Sequence, residues 1–131
     1  MMAVADTSFV IDVLAGDEGA LRKLDELVGR NEALWMPAVV LHELEYGAGL
    51  TRNAKRERDR IRAVEGAMPV VPFDAAQARV AGELEAQLEL AGKRPGRVDI
   101  QVAALGRLRA EPVLTRDRRF PRVAGVNVES Y

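Results

Sequence analysis

Short apolar segments alternate with stretches of helical spacing, and that alternation limits the folds open to this chain more than any other feature. The apolar segments are "AVA" (3–5), "ALWM" (33–36), "PVVPF" (69–73), "PVLT" (112–115) and "VNVES" (126–130). Helical periodicity fills 7–16, 17–31, the run from Pro37 through Gly47, the run from Leu50 to Met68, a long run behind Asp74 that ends near Gly92, and 96–110. Strands that alternate with helices need crossovers and therefore pair in parallel, with helices covering both faces of the sheet. The expected fold is one α/β domain over 1–131, built on a mainly parallel five-stranded sheet. With 131 residues, 48% hydrophobic and 30% charged, the chain is large and apolar enough for one core and is not a disordered composition.

The ends of these segments carry local signals. Thr7 or Ser8 is placed to cap the first helix and Gly16 to stop it, Pro37 stands at the first position of its helix, and Asp74 caps the long one. Leu21, Leu24 and Leu27 or Val28 give 17–31 an apolar stripe, and Leu50, Ala54, Ile61, Val64 and Met68 do so for the next helix. "GRVDIQVAALGRLRA" (96–110) is apolar on nearly all sides through its middle, which predicts a buried central helix.

The segment "VVLHELEYG" (39–47) places a glutamate within such a stripe. Val39 and Val40 lie one turn before Glu43, and Tyr46 and Gly47 one turn after, so all share a face while His42 and Glu45 point elsewhere. This predicts a half-buried carboxylate, which is costly unless paired. Asp6 follows the first strand, Asp117 follows the fourth, and Asp99 lies in the first turn of the buried helix. In an open parallel sheet, ligands bind beyond the carboxyl ends of the strands, so the four acids are placed to converge there. Each also has a structural reading: a turn for Asp6, a favourable helix-dipole position for Asp99, a surface cap for Asp117, and solvent or an arginine for Glu43. Together they would repel one another, and a divalent cation relieves that repulsion. The chain has no Cys and one His, so the ligands on offer are hard oxygens, which favour Mg²⁺ or Mn²⁺ over Zn²⁺. Such an ion activates water and neutralises a phosphate.

Net charge is −1, so overall charge selects no class of partner. Basic residues cluster in 52–62 and 116–122, acids in 17–45 and 83–89, a pattern consistent with a basic rim around an acidic centre. Helix 52–62 is either a solvated face with Lys55–Asp59 and Glu57–Arg60 pairs or a phosphate-backbone surface. Arg94, Arg97, Arg116, Arg118 and Arg119 are nearer the acids in sequence and are the better candidates for contacting a nucleic-acid backbone. His42 is expected at the solvent-facing side. The N-terminus has no basic n-region or long apolar run, and no segment reaches the roughly 20 apolar residues of a membrane span, so a cytoplasmic protein without membrane contact is expected.

The segments "VADTSFVIDVL", "VVLHELEYG", "VDIQVAA" and "LTRDRRF", in this order, resemble the four motifs of the PIN-domain nucleases, and most closely those of the VapC toxins of prokaryotic toxin–antitoxin pairs. The resemblance runs over essentially the whole chain, including "RVAGVNVESY". It implies a Mg²⁺- or Mn²⁺-dependent endoribonuclease with metal-holding, catalytic acids at Asp6, Glu43, Asp99 and Asp117. It further implies hydroxyls from Thr7, Ser8 and Thr115 around the metal or its waters, an antitoxin partner, and a homodimer, for which Tyr46, Gly47 and Leu50 extend the apolar stripe. The third motif carries a single acid, with Val98 before it, so the count of metal ions stays open. Asp12, late in the first helix, reads as peripheral. Two other functions fit parts of the pattern. A phospho-acceptor signalling domain shares an acidic pocket on a five-stranded sheet, but wants an acidic pair after strand one and a late lysine, whereas Asp6 stands alone and no lysine follows Lys93. A PIN scaffold that binds RNA or protein without cutting would not need all four acids.

Overall fold

The computed structural model describes residues 2–123 and 125–131. Met1 and Ala124, the latter within the tail segment quoted above, lie outside them. Among the described residues five strands form one sheet in the order β3–β2–β1–β4–β5. They are β1 (Met2–Ala5), β2 (Ala33–Pro37), β3 (Val70–Val71), β4 (Val113–Leu114) and β5 (Val128–Glu129). All four pairings are parallel, with β1 central: Val4 lies opposite Trp35 on one side and Val113 on the other. The helices are α1 (Thr7–Ala15), α2 (Glu18–Gly29), α3 (Ala38–Gly49), α4 (Ala54–Ala67), α5 (Ala75–Leu90) and α6 (Arg97–Arg109).

The chain steps outward from β1 to β2 to β3, then returns past β1 to β4. Crossovers between parallel strands are almost always right-handed, so reversing direction moves the connecting helices to the opposite face. The reversal falls between β1 and β4 and opens a crevice at their carboxyl ends. β1 is buried throughout Ala3–Ala5, and Ile100 and Val102 to Gly106 of α6 are buried too, as the all-round apolar pattern of that helix predicts. Gly106 is required here: a Cβ at this position would meet Val113 Cγ2 at 2.6 Å.

Several boundaries differ from the sequence expectation. Asp6, not Thr7 or Ser8, is the N-cap residue of α1, and Pro37 ends β2 as the N-cap residue of α3 instead of opening the helix. Leu50 does not begin the basic helix. It terminates α3, and α4 starts after Asn53, whose side chain accepts from the Arg56 amide at 3.2 Å. On α2 the buried side is Ala20 and Leu27, while Leu21 and Val28 are exposed. The predicted caps Gly16, in the left-handed conformation at φ 75°, and Asp74, accepting from the Gln77 amide at 2.9 Å, stand as expected. Among the described residues no helix is long and apolar enough to cross a membrane.

Candidate active site

Asp6 occupies the crevice because β1 ends there and α1 begins. Its amide donates to the Leu114 carbonyl at 3.1 Å, which locks it to β4. The residue is 3% exposed, and its side chain makes no cap bond to α1. The carboxylate is engaged across the crevice instead: the Thr115 hydroxyl donates to Asp6 Oδ2 at 2.8 Å and Ser8 Oγ lies 3.4 Å away. Burial pushes the Asp6 pKa up, opposed by the hydroxyls of Thr115 and Ser8 and by the Thr7 amide, while Glu43 raises it further. Thr115 is fully buried, its amide held by the Glu129 carbonyl of β5, and its hydroxyl also accepts from the Asp117 amide at 3.1 Å. One hydroxyl thus orients the acids that follow both central strands.

Asp99 projects from the first turn of α6 and is half-buried. Its pKa is pushed up to about 6, first by burial and then by the charges of Asp6, Asp117 and Glu43, with Arg119 pulling it down. That three acids from three other segments raise it is the plainest sign that the four share one electrostatic environment. Glu43 requires a correction. The buried stripe of α3 is Val40, Leu44 and Ala48, and Glu43 lies beside it on the exposed side, not half-buried within it. Its partner is the Thr7 hydroxyl, which donates to Oε1. Helix α3 is apolar almost all round, so periodicity could not choose the face.

The arginines separate into two groups. Arg97 pairs with Glu85 at 2.9 Å on an exposed face, Arg94 reaches Glu89 only at 4.0 Å, and Arg119 pairs with Asp117 at 3.6 Å. Arg116 is not a free rim charge: its Nη2 lies 3.2 Å from Asp12 Oδ1. Asp12 in turn is not peripheral but 4% exposed, and it accepts from the Tyr131 hydroxyl at 2.7 Å. On α4 the predicted pairs form, Lys55–Asp59 at 2.9 Å and Arg60–Glu57 at 3.4 Å, and Arg58 and Arg62 also face acids, so little of that helix's charge is left over. His42 is exposed, as expected. A groove of about 430 Å³ brings together Lys93, Arg94, Arg118, Arg119 and Arg122 beside Phe120. Among the described residues Lys93, Arg118 and Arg122 enter no ion pair, unlike their neighbours Arg94 and Arg119. Sequence reasoning does not single out Lys93 or Arg122. Their basicity is visible, but not that the turn after α5 folds back onto the segment after β4.

The donor chemistry is compatible with a hard cation, since the side-chain oxygens that meet at the crevice belong to carboxylates and hydroxyls. Among the described residues, however, no three His, Cys, Asp or Glu side chains are grouped to ligate one ion directly. Acids that repel one another without being grouped as direct ligands suit an ion held partly through its waters.

The family model of the PIN domain matches residues 3–126. The chain belongs to the PIN-domain family. Over 127 residues it is 28% identical to the tRNA(fMet)-specific endonuclease VapC of Shigella flexneri, covering 96% of this chain and 95% of the relative. It is 20% identical to Ribonuclease VapC2 of Rickettsia felis across 100% of this chain and 98% of that one. Among solved structures, VapBC2 of Rickettsia felis bound to a promoter DNA fragment superposes with a TM-score of 0.91 over 100% of this chain and 99% of that chain, at 20% identity. VapBC-5 of Mycobacterium tuberculosis gives a TM-score of 0.71 at 27% identity, covering 98% and 96%. The signalling-domain alternative is thereby set aside.

Proposed function

We propose that this PIN domain is a divalent-metal-dependent endoribonuclease, the toxin of a VapBC-type pair. What supports the reading is that Asp6 and Asp117 follow the two strands beside the switch point and that the charges of Asp6, Asp117 and Glu43 reach the half-buried Asp99. These four acids would hold Mg²⁺ or Mn²⁺, which when bound supplies an activated water and neutralises the scissile phosphate. Thr115 and Ser8 keep the Asp6 carboxylate in one orientation, and Thr7 does the same for Glu43. Lys93, Arg118 and Arg122, with Arg94 and Arg119 beside them, are placed to bind the RNA backbone where the groove meets Asp117. Arg97, turned to Glu85, is a weaker candidate, and Arg116 is committed to Asp12.

A cognate antitoxin is the proposed protein partner. An apolar groove of about 270 Å³ lined by Ile11, Leu14, Leu44, Ala48 and Ile61 reaches Glu43 at its rim, which suits a bound peptide segment that also presents a cation to the acids. A cytoplasmic location is proposed with it. A homodimer is proposed through Tyr46 and Leu50, which are 67% and 72% exposed on the same side of α3. A scaffold that binds without cutting would retain RNA affinity but show no metal-dependent product.

The test is cleavage of RNA, with a tRNA among the substrates because one relative is named for one. Cleavage is expected with Mg²⁺ or Mn²⁺, lost in chelator, and abolished in Asp6→Asn and Asp99→Asn, which remove charge but little volume. Wild-type rates in both variants would overturn the assignment.

A further inference from the structure

Asp12 is a buried acid that the proposed chemistry does not use. Its two oxygens are divided between distant segments: Oδ2 accepts from the Tyr131 hydroxyl at 2.7 Å and Oδ1 faces Arg116 Nη2 at 3.2 Å. A carboxylate only 4% exposed must be compensated, so both partners are held to it. Tyr131 is fixed from another side by an edge-to-face contact with Phe9 of α1, ring centroids 4.9 Å apart at 78°. Desolvation and the Asp12 carboxylate both raise the phenol's pKa, so it stays a donor.

The other end of the connection is the active site. Arg116 sits between Thr115 and Asp117. Its guanidinium is held by Asp12 and its amide points to Ser8 Oγ at 3.4 Å. Ser8 Oγ is in turn 3.2 Å from Thr115 Oγ1, the hydroxyl that donates to Asp6 and receives the Asp117 amide. Releasing Arg116 would therefore loosen the loop that sets Thr115 on Asp6 and aims Asp117.

We propose that Tyr131, Asp12 and Arg116 form a clamp that holds the loop after β4 in its working position, making Asp12 and Tyr131 positioning residues for phosphodiester cleavage. The inference rests on the nuclease reading for its kinetic arm, but its structural arm does not. Asp12→Asn keeps the volume and the bond to Tyr131 but removes the ion pair, and Tyr131→Phe removes one hydroxyl.

The structural arm is hydrogen exchange at the Arg116 and Asp117 amides, both of which donate to hydroxyls in this network. Asp12→Asn is expected to accelerate both by about tenfold relative to amides of β1. The kinetic arm uses RNA cleavage. Asp12→Asn and Tyr131→Phe should each lower kcat by about 10–100-fold and raise the Mn²⁺ concentration for half-maximal rate, with KM for RNA nearly unchanged. Arg116→Lys should recover most of the rate that Arg116→Ala loses, and Asp12→Asn with Arg116→Ala should cost no more than either alone, because both break one link. Unchanged exchange at 116 and 117 overturns the clamp whatever the activity. A lower Tm with kcat and Mn²⁺ response intact overturns it too, leaving Asp12 a core residue only. Accelerated exchange in a protein whose wild type cuts no RNA would sustain the clamp and refute the nuclease reading.

Discussion

Replacing Asp99 by Asn should stabilise the protein when no metal is present, and by an amount that depends on pH. The Asp99 carboxyl is raised from 3.8 to about 6, so the folded chain holds this proton more tightly than the unfolded chain does. In a carboxyl shifted in this direction the charged form is the one the fold disfavours. The Asp99 contribution to metal-free stability is therefore greatest below pH 4, falls as pH rises from about 4 to about 6, and stays low above that. At about 1.4 kcal/mol per tenfold in proton affinity the full effect would be about 3 kcal/mol. Asp99 is only half-buried, and solvent screening reduces this to about 1–1.5 kcal/mol. For a chain of this length such a gain raises Tm by about 3–6 °C. Thermal melts of wild type and Asp99→Asn in chelator from pH 4 to pH 8 would read it. The variant should match wild type at the acid end and exceed it above pH 6. Saturating Mn²⁺ should reverse the order, because only the wild type has its full set of acids to gain from the ion. A difference that does not change with pH, or a wild type more stable than the variant at pH 7.5 in chelator, would refute the claim that burial and the neighbouring acids disfavour the Asp99 charge.

Replacing Lys93, Arg118 and Arg122 together by Ala, in an Asp6→Asn background that leaves the RNA uncut, should weaken binding for all sequences. It should also make the slope of log affinity against log salt shallower by about 2, at about 0.7 for each phosphate that is no longer neutralised. An unchanged slope would place the backbone-binding cations elsewhere, at Arg52 and Arg56 of the α4 region first. Gly106→Ala should destabilise the fold by about 1–3 kcal/mol, because its Cβ would stand 2.6 Å from Val113 Cγ2 and 3.2 Å from the Glu111 carbonyl oxygen. Urea titration should show a lower midpoint with an unchanged slope. Sedimentation at micromolar concentration should show a dimer that Leu50→Asp dissociates, and a monomeric wild type would contradict the proposed use of that face.

What can be read from the sequence is what depends on neighbours in the chain. The strands show as apolar runs, the switch-point acids Asp6 and Asp117 show because strand ends are local, and Asp99 shows as a first-turn acid on an apolar helix. Glu43 is legible as a candidate, but its environment is not. On "AVVLHELEYGAG" the sides containing 40, 44, 48 and 39, 43, 46, 47 are both apolar, and the choice between them is made by packing. The arginines are the least legible. Whether a guanidinium is free is decided by acids far away in the chain, as Asp12 is from Arg116, and no spacing encodes that distance.

The same long-range pairing decides which cations are left unpaired among the described residues. Most cations of α4 neutralise acids within their own helix or on α3, and Arg116 neutralises a buried carboxylate, so neither set is available to a polyanion without first breaking a bond. Lys93, Arg118 and Arg122 line one groove with Arg119, whose own partner is Asp117. In the proposed function a phosphate approaching along that groove would meet cations that need not be released, and would arrive next to an acid whose cation it can share. The acids show a complementary division. Asp6 is buried and held in one orientation by hydroxyls, while Asp99 is half-buried and its carboxyl is raised to about 6, so in the proposed metal site the acid most shielded from solvent is also the one most firmly placed.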